Sequence, residues 1–128
     1  MAALYSDILL DHFRNPRNYG DLDSPDMSYE NFNPLCGDRI RIELKLDDAT
    51  IAVARFKGDG CAISMAAASL LTEMITGIEI SEAAAVSDDR VISALESNIQ
   101  PARIQCALLA LEALRSACKG GPPWPPVR

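Results

Sequence analysis

The chain is poor in aromatic residues, carries a single histidine, and has no two cysteines at the C-x-x-C spacing. Aromatics at 5% leave little from which to build a platform for stacking bases. Positive charge is also short: 12 Lys and Arg stand against 18 Asp and Glu, a net charge of −6. An acidic chain repels phosphate backbones and anionic lipid headgroups, so neither nucleic acid nor a membrane surface is an expected partner. No apolar run approaches the roughly 18–20 residues that span a bilayer. The longest, Cys61 to Thr72, is punctuated by Ser64, Ser69 and Thr72. The opening residues lack the basic start of a signal peptide, and Asp7 and Asp11 interrupt any apolar stretch there. The expectation is a cytoplasmic chain in a reducing compartment. Its four cysteines then serve as thiols or metal ligands rather than disulfides.

What is present suits a small globular protein: 128 residues, 48% apolar and 23% charged. One domain is expected over residues 1–119, followed by the Pro-rich tail 120–128. Two glycines stop a helix there and four prolines forbid another, so the tail reads as extended. Trp124 within it is expected to dock on the domain or stay disordered rather than to act as a recognition element. Leu4, Ile8, Leu9, His12 and Phe13 have helical spacing, which predicts a helix over about 3–14, ended by Asn15-Pro16. Residues 15–38 are turn-rich, with room for a short edge strand near Tyr29–Phe32. Ile40, Ile42, Leu44 and Leu46 alternate with charged residues, the pattern of a half-buried strand. Residues 47–50 form a turn, and Ile51–Lys57 returns antiparallel until Gly58-Asp59-Gly60 breaks the strand. A helix is expected from about Cys61 to Thr76, stopped by Gly77. A short one follows from Ser81 to Ala85. A third spans 88–97 behind Ser87, and a last runs from Pro101 to Cys118. Ile104, Leu108, Leu111 and Leu114 lie along one stripe of that last helix. The order predicts an α+β fold, a small, about three-stranded antiparallel sheet with helices packed on one face.

The chemistry-bearing residues sit at element boundaries. Cys36-Gly37-Asp38 opens the first long strand, Cys61 stands at a helix N-terminus, and Cys106 lies in the first turns of the last helix. Turns and helix starts gather at one end of such a fold, so the three thiols can converge. Helix N-termini favour thiolate, the form that binds metal or attacks sulfur. Gly37, Gly58 and Gly60 remove side-chain bulk nearby. Cys118 lies twelve residues past Cys106, about 18 Å along the helix, and reads as a core thiol.

The wording of these segments goes beyond their spacing. Asn33-Pro34-Leu35-Cys36-Gly37-Asp38-Arg39-Ile40, Gly58-Asp59-Gly60-Cys61-Ala62-Ile63-Ser64-Met65 and Pro101-Ala102-Arg103-Ile104-Gln105-Cys106 resemble the U-type iron–sulfur assembly proteins, the family of IscU, SufU and the NifU N-terminal domain. The opening stretch from Tyr5 through Asp11-His12-Phe13-Arg14-Asn15-Pro16 to Gly20 resembles that family too. The resemblance implies that Cys36, Asp38, Cys61 and Cys106 bind metal or cluster, and that Asp38, a hard oxygen among thiolates, makes a bound cluster easier to release. It implies assembly of a transient [2Fe–2S] cluster on iron, with sulfur from a cysteine desulfurase of SufS or IscS type, for delivery to apo-proteins. An alternative reading within the family is a Zn²⁺-dependent sulfurtransferase, in which Cys36 or Cys106 accepts persulfide sulfur. IscU members have a histidine before the last cysteine and a Leu-Pro-Pro-Val-Lys chaperone motif nearby. Gln105 and Ile99-Gln100-Pro101-Ala102-Arg103 stand in their places. The motifs are SufU-like, while the insertion usual in SufU between the second and third cysteines is missing.

Arg103, one helical turn before Cys106, is a candidate helper that favours thiolate or screens cluster charge. His12 is expected to pack or hydrogen-bond rather than bind metal. Met65 and Met74 read as filler, and Asp59 as a turn residue. Contact of Tyr5 and residues 15–18 with a desulfurase is implied by the resemblance alone.

Overall fold

The computed structural model describes residues 5–35 and 37–119. The chain order is α1 (Asp7–Arg14), β1 (Met27–Phe32), β2 (Arg39–Asp47), β3 (Thr50–Asp59), α2 (Ala62–Ile75), α3 (Ile80–Ala84), α4 (Asp88–Ala94), a single 3₁₀ turn (Pro101–Arg103) and α5 (Ile104–Cys118). The three strands form one antiparallel sheet in the order β1-β2-β3. The expected architecture of a small antiparallel sheet with helices on one face is present. The tail 120–128, with Trp124, lies outside the described residues, as does Leu4.

Alternation in β2 and β3 decides which face is covered. Ile40, Ile42, Leu44, Ile51 and Phe56 are fully buried beneath α2 and α5. Truncating one of them to alanine costs about 2–5 kcal/mol, the loss of transfer free energy plus the cavity left behind. The other sheet face is polar but not bare. The chain between α1 and β1 crosses it, and the Leu22 N–H donates to Glu43, a carboxylate 6% exposed. The same segment flanks β3: the Gly20 N–H donates to the Phe56 carbonyl, and the Phe56 N–H to that of Asn18. Backbone groups on an edge strand need partners, and this pairing supplies them.

α2 and α5 are the central helices. Along α5 the stripe of Leu108, Leu111 and Leu114 is buried as expected, but so are Ala107, Leu109, Ala110, Ala113 and Ala117. Small residues let neighbours approach on several sides, so α5 is enclosed rather than amphipathic. α1 begins at Asp7 instead of near residue 3, because the Ser6 hydroxyl accepts from the Leu9 N–H and caps it. A capping box between Glu79 and Glu82 moves the start of α3 ahead of Ser81. α4 starts after Ser87 as expected and ends at Ala94, short of 97, and Glu96 beyond it has φ of 49°. His12 is buried, its Nδ1 lying 2.7 Å from Ser69 Oγ on α2 and its Nε2 3.6 Å from Glu73. Ser69 Oγ also accepts the Arg17 N–H, which ties the chain after α1 to the same hydroxyl. The histidine therefore clasps α1 to α2, the packing role expected of it. Met65 and Met74 pack against the core as filler.

Candidate metal centre

Three elements begin at the same end of the sheet: β2, α2 and α5. Each brings a donor there. Asp38 immediately precedes β2 and is 7% exposed. Cys61 is the N-cap of α2, with φ −70° and ψ 171°, so its side chain stands at the mouth of the helix. Cys106 is the third residue of α5 and is 2% exposed. One carboxylate oxygen of Asp38 and the sulfur atoms of Cys61 and Cys106 all lie within 4.8 Å of one another. The residues are separated by up to 68 positions in the chain, and the topology alone brings them together.

That spacing suits a metal. Zn–S bonds of about 2.3 Å and Zn–O bonds of about 2.0–2.2 Å put tetrahedral ligand atoms roughly 3.5–3.8 Å apart. Closing the donors around an ion then asks for at most about an ångström of movement. Two soft sulfurs and one hard oxygen accept zinc or iron. The positive ends of α2 and α5 point at this place, which favours negative charge on the donors. Neither helix has an acidic residue in its first turn to compete.

Cys36 lies outside the described residues. The loop around it is closed at its base: the Gly37 N–H donates to the Asn33 carbonyl and the Asn33 N–H to that of Asp38. Leu35 on this loop is 92% exposed.

Arg103 sits at the margin of the site, exposed to solvent. The hydrogen bond to the Cys106 side chain, and the nearby Cys61 and Cys106 charges, hold its guanidinium above the usual arginine value. Tyr5, Ile63, Ile99 and Arg103 line a cleft of about 150 Å³ beside the donors. Asp59 ends β3 paired with Arg39 and is not among the converging groups. Burial pushes the Cys118 thiol up, and it stands at the far end of α5.

One contributor was not singled out from the sequence. Ser64, fully buried in the first turn of α2, donates to Asp38 Oδ2 at 2.7 Å and lies 3.3 Å from Cys61 Sγ. Its signal is positional. A serine three residues after an N-capping cysteine shares the helix mouth with it.

Gly58 does not break the strand as expected; β3 continues through it to Asp59. A Cβ at Gly58 would overlap the Arg39 carbonyl oxygen on β2, so glycine is required by close approach. At Gly60 a Cβ would fall 2.5 Å from Ser64 Oγ and 3.4 Å from Asp38 Cγ.

Comparison with known proteins points the same way. The family model described as NifU-like N terminal domain matches residues 4–120. The chain is 41% identical to the zinc-dependent sulfurtransferase SufU of Bacillus subtilis, over 89% of this chain and 88% of that one. It is 36% identical to the iron–sulfur cluster assembly scaffold protein IscU of Haemophilus influenzae, over 88% and 91%. In fold it is similar to the crystal structure of FiSufU from Fervidobacterium islandicum AW-1, with a TM-score of 0.77 at 24% identity, covering 90% of this chain and 96% of that one.

Proposed function

The chain belongs to the NifU-like N-terminal domain family, and from that membership together with the donor geometry we propose that it is a scaffold for iron–sulfur cluster assembly. The observation that carries the reading is the convergence of Asp38, Cys61 and Cys106 within 4.8 Å. Cys36, two residues before Asp38, supplies the fourth ligand. Iron and sulfide are the cargo here, and the four side chains hold them as a transient [2Fe–2S] cluster. Thiolates bind such a cluster firmly, and the single carboxylate gives an acceptor's thiolate the weakest point to displace.

Sulfur arrives from a cysteine desulfurase carrying a persulfide. A thiolate of this chain, Cys36 or Cys106, attacks the outer sulfur. A new S–S bond forms, the donor's S–S bond breaks, and the donor cysteine leaves as thiolate; an external two-electron donor, such as a reduced ferredoxin or a pair of thiols, then reduces the delivered sulfur to the sulfide of the cluster. Arg103, held beside Cys106, offsets the negative charge that gathers there. Apo-proteins with free thiols are the recipients. No helix among the described residues is long and apolar enough to cross a membrane. The proposed setting is a reducing cytoplasm, where free thiols persist.

A second reading has its own support in the 41% identity to a zinc-dependent sulfurtransferase. In that reading Cys36, Asp38, Cys61 and Cys106 would hold Zn²⁺, and Cys36 or Cys106 would accept the sulfur. One experiment separates the two. The chain is reconstituted anaerobically with iron and sulfide and then offered an apo-ferredoxin. A brown protein that loses its visible absorption to the acceptor supports the scaffold. A colourless zinc protein that nonetheless raises desulfurase turnover replaces it with the second reading.

A further inference from the structure

Resting on the reading that Asp38 and Cys61 are metal ligands, we infer that Ser64 is a positioning residue that fixes how Asp38 meets the ion. Two donors converge on the same carboxylate oxygen. The Ser64 hydroxyl reaches Asp38 Oδ2 at 2.7 Å, and the Cys61 N–H reaches it at 3.3 Å. Together the two bonds set the rotation of the carboxylate, and with it the direction in which Asp38 meets an ion; losing the serine bond frees the group to turn toward binding through both oxygens.

The same helix provides a control. Thr72 and Thr76 are also hydroxyl residues of or beside α2, and each donates to a backbone carbonyl one turn earlier, at 2.7 and 2.6 Å. That is the ordinary way for a helical hydroxyl to satisfy itself. Ser64 has the equivalent carbonyl, of Cys61, available at 3.2 Å, but lies closer to the carboxylate. With no exposure to solvent it has no water to choose instead. Gly60 completes the arrangement, because a side chain there would drive into Ser64 Oγ.

The hydroxyl has one proton and two neighbours that carry negative charge when metal-bound, Asp38 Oδ2 and Cys61 Sγ 3.3 Å away. It therefore also screens the two ligands from each other. The arrangement is a hydrogen-bonded second layer around the donors, the kind that orients ligands and tunes how tightly they hold.

The test uses the full chain with Co²⁺ and Zn²⁺ alone, in the wild type, Ser64→Ala, Asp38→Ala and the double variant. Ser64→Ala should weaken Zn²⁺ affinity by about tenfold. It should also dim the Co²⁺ visible bands, as a freed carboxylate turns to bind through both oxygens and raises the coordination number. In the Asp38→Ala background the serine substitution should add nothing, because its target is gone. Unchanged spectra and affinity in Ser64→Ala, or an equal further loss in the double variant, overturn the inference while leaving the metal site standing. A wild type that takes up neither ion removes the underlying reading and this inference with it.

Discussion

Two polar regions of this molecule lie within a few residues of each other and are built on opposite rules. On the outer face of the sheet, a cleft of about 430 Å³ is lined by Asp21, Glu30, Arg39, Arg41, Lys57 and Asp59, among others. There each sign faces its opposite. Asp21 bonds both Arg41 and Lys57, and Arg39 faces Glu30. Lys57 beside Asp21 holds that carboxyl below its usual range. At the end of the sheet, Asp38, Cys61 and Cys106 bring together groups that all bear negative charge when ionised. They stand at two helix mouths, with one guanidinium at the margin. Charge that is already neutralised by neighbours asks for no ligand. Two soft sulfurs and a hard oxygen drawn together by the fold repel one another once ionised, and a cation between them would relieve that repulsion.

The largest effect that sharpens this contrast comes from the sulfurs. Cys61→Ser or Cys106→Ser should lower Zn²⁺ affinity by a hundredfold or more on the scale of lost ligands, measured by competition with a chelator. Tight binding retained by both variants would erase the distinction between the regions. Next, Asp38→Cys should slow transfer of a bound cluster to an apo-ferredoxin by on the order of tenfold, since a fourth sulfur holds iron harder than oxygen does. Faster transfer would contradict the part given to the carboxylate.

Smaller effects belong to the fold. Burial, helped by Arg17, pushes the His12 imidazole below its ordinary value of 6.5. The folded state therefore resists a proton that the unfolded state accepts. The stability of the clasp is complete above pH 6.5 and is lost progressively as the pH falls below it, toward the lower folded value. Urea midpoints across this window should fall on acidification in the wild type and stay flatter in His12→Gln; parallel slopes would count against the clasp. Asp21→Asn, in the charged cleft, should leave the urea midpoint nearly unchanged, because exposed pairs are screened. It should leave metal uptake unaltered, and a loss of uptake would show that the two regions are one. Smallest of all, Cys118→Ser should change metal content not at all, as read by metal analysis of the purified protein.

Much of this was legible in the chain. Alternation at Ile40, Ile42 and Leu44 located the central strand, and reading element boundaries put Asp38, Cys61 and Cys106 at element starts, where the structure brings them together. The sequence could not show that Glu43, on the polar side of that alternation, is buried by the Leu22 segment, because the covering loop has no periodicity to read. Gly58 looked like a strand breaker, since its reason is a neighbour nineteen residues away rather than its own backbone. Ser64 passed as one polar residue in an apolar helix, since its meaning lies in Asp38 on another element.

The tight contact at Gly58 works as a caliper. Gly58 is paired with Ile40, two positions from Asp38 on one strand and three from Cys61 on the other. With no side chain between them, the gap between these two residues is inherited from the hydrogen-bonded width of a β-ladder, a length that proteins hold nearly constant. On the proposed reading an incoming ion would meet a jaw already set to size, and any side chain grown at this glycine would widen it.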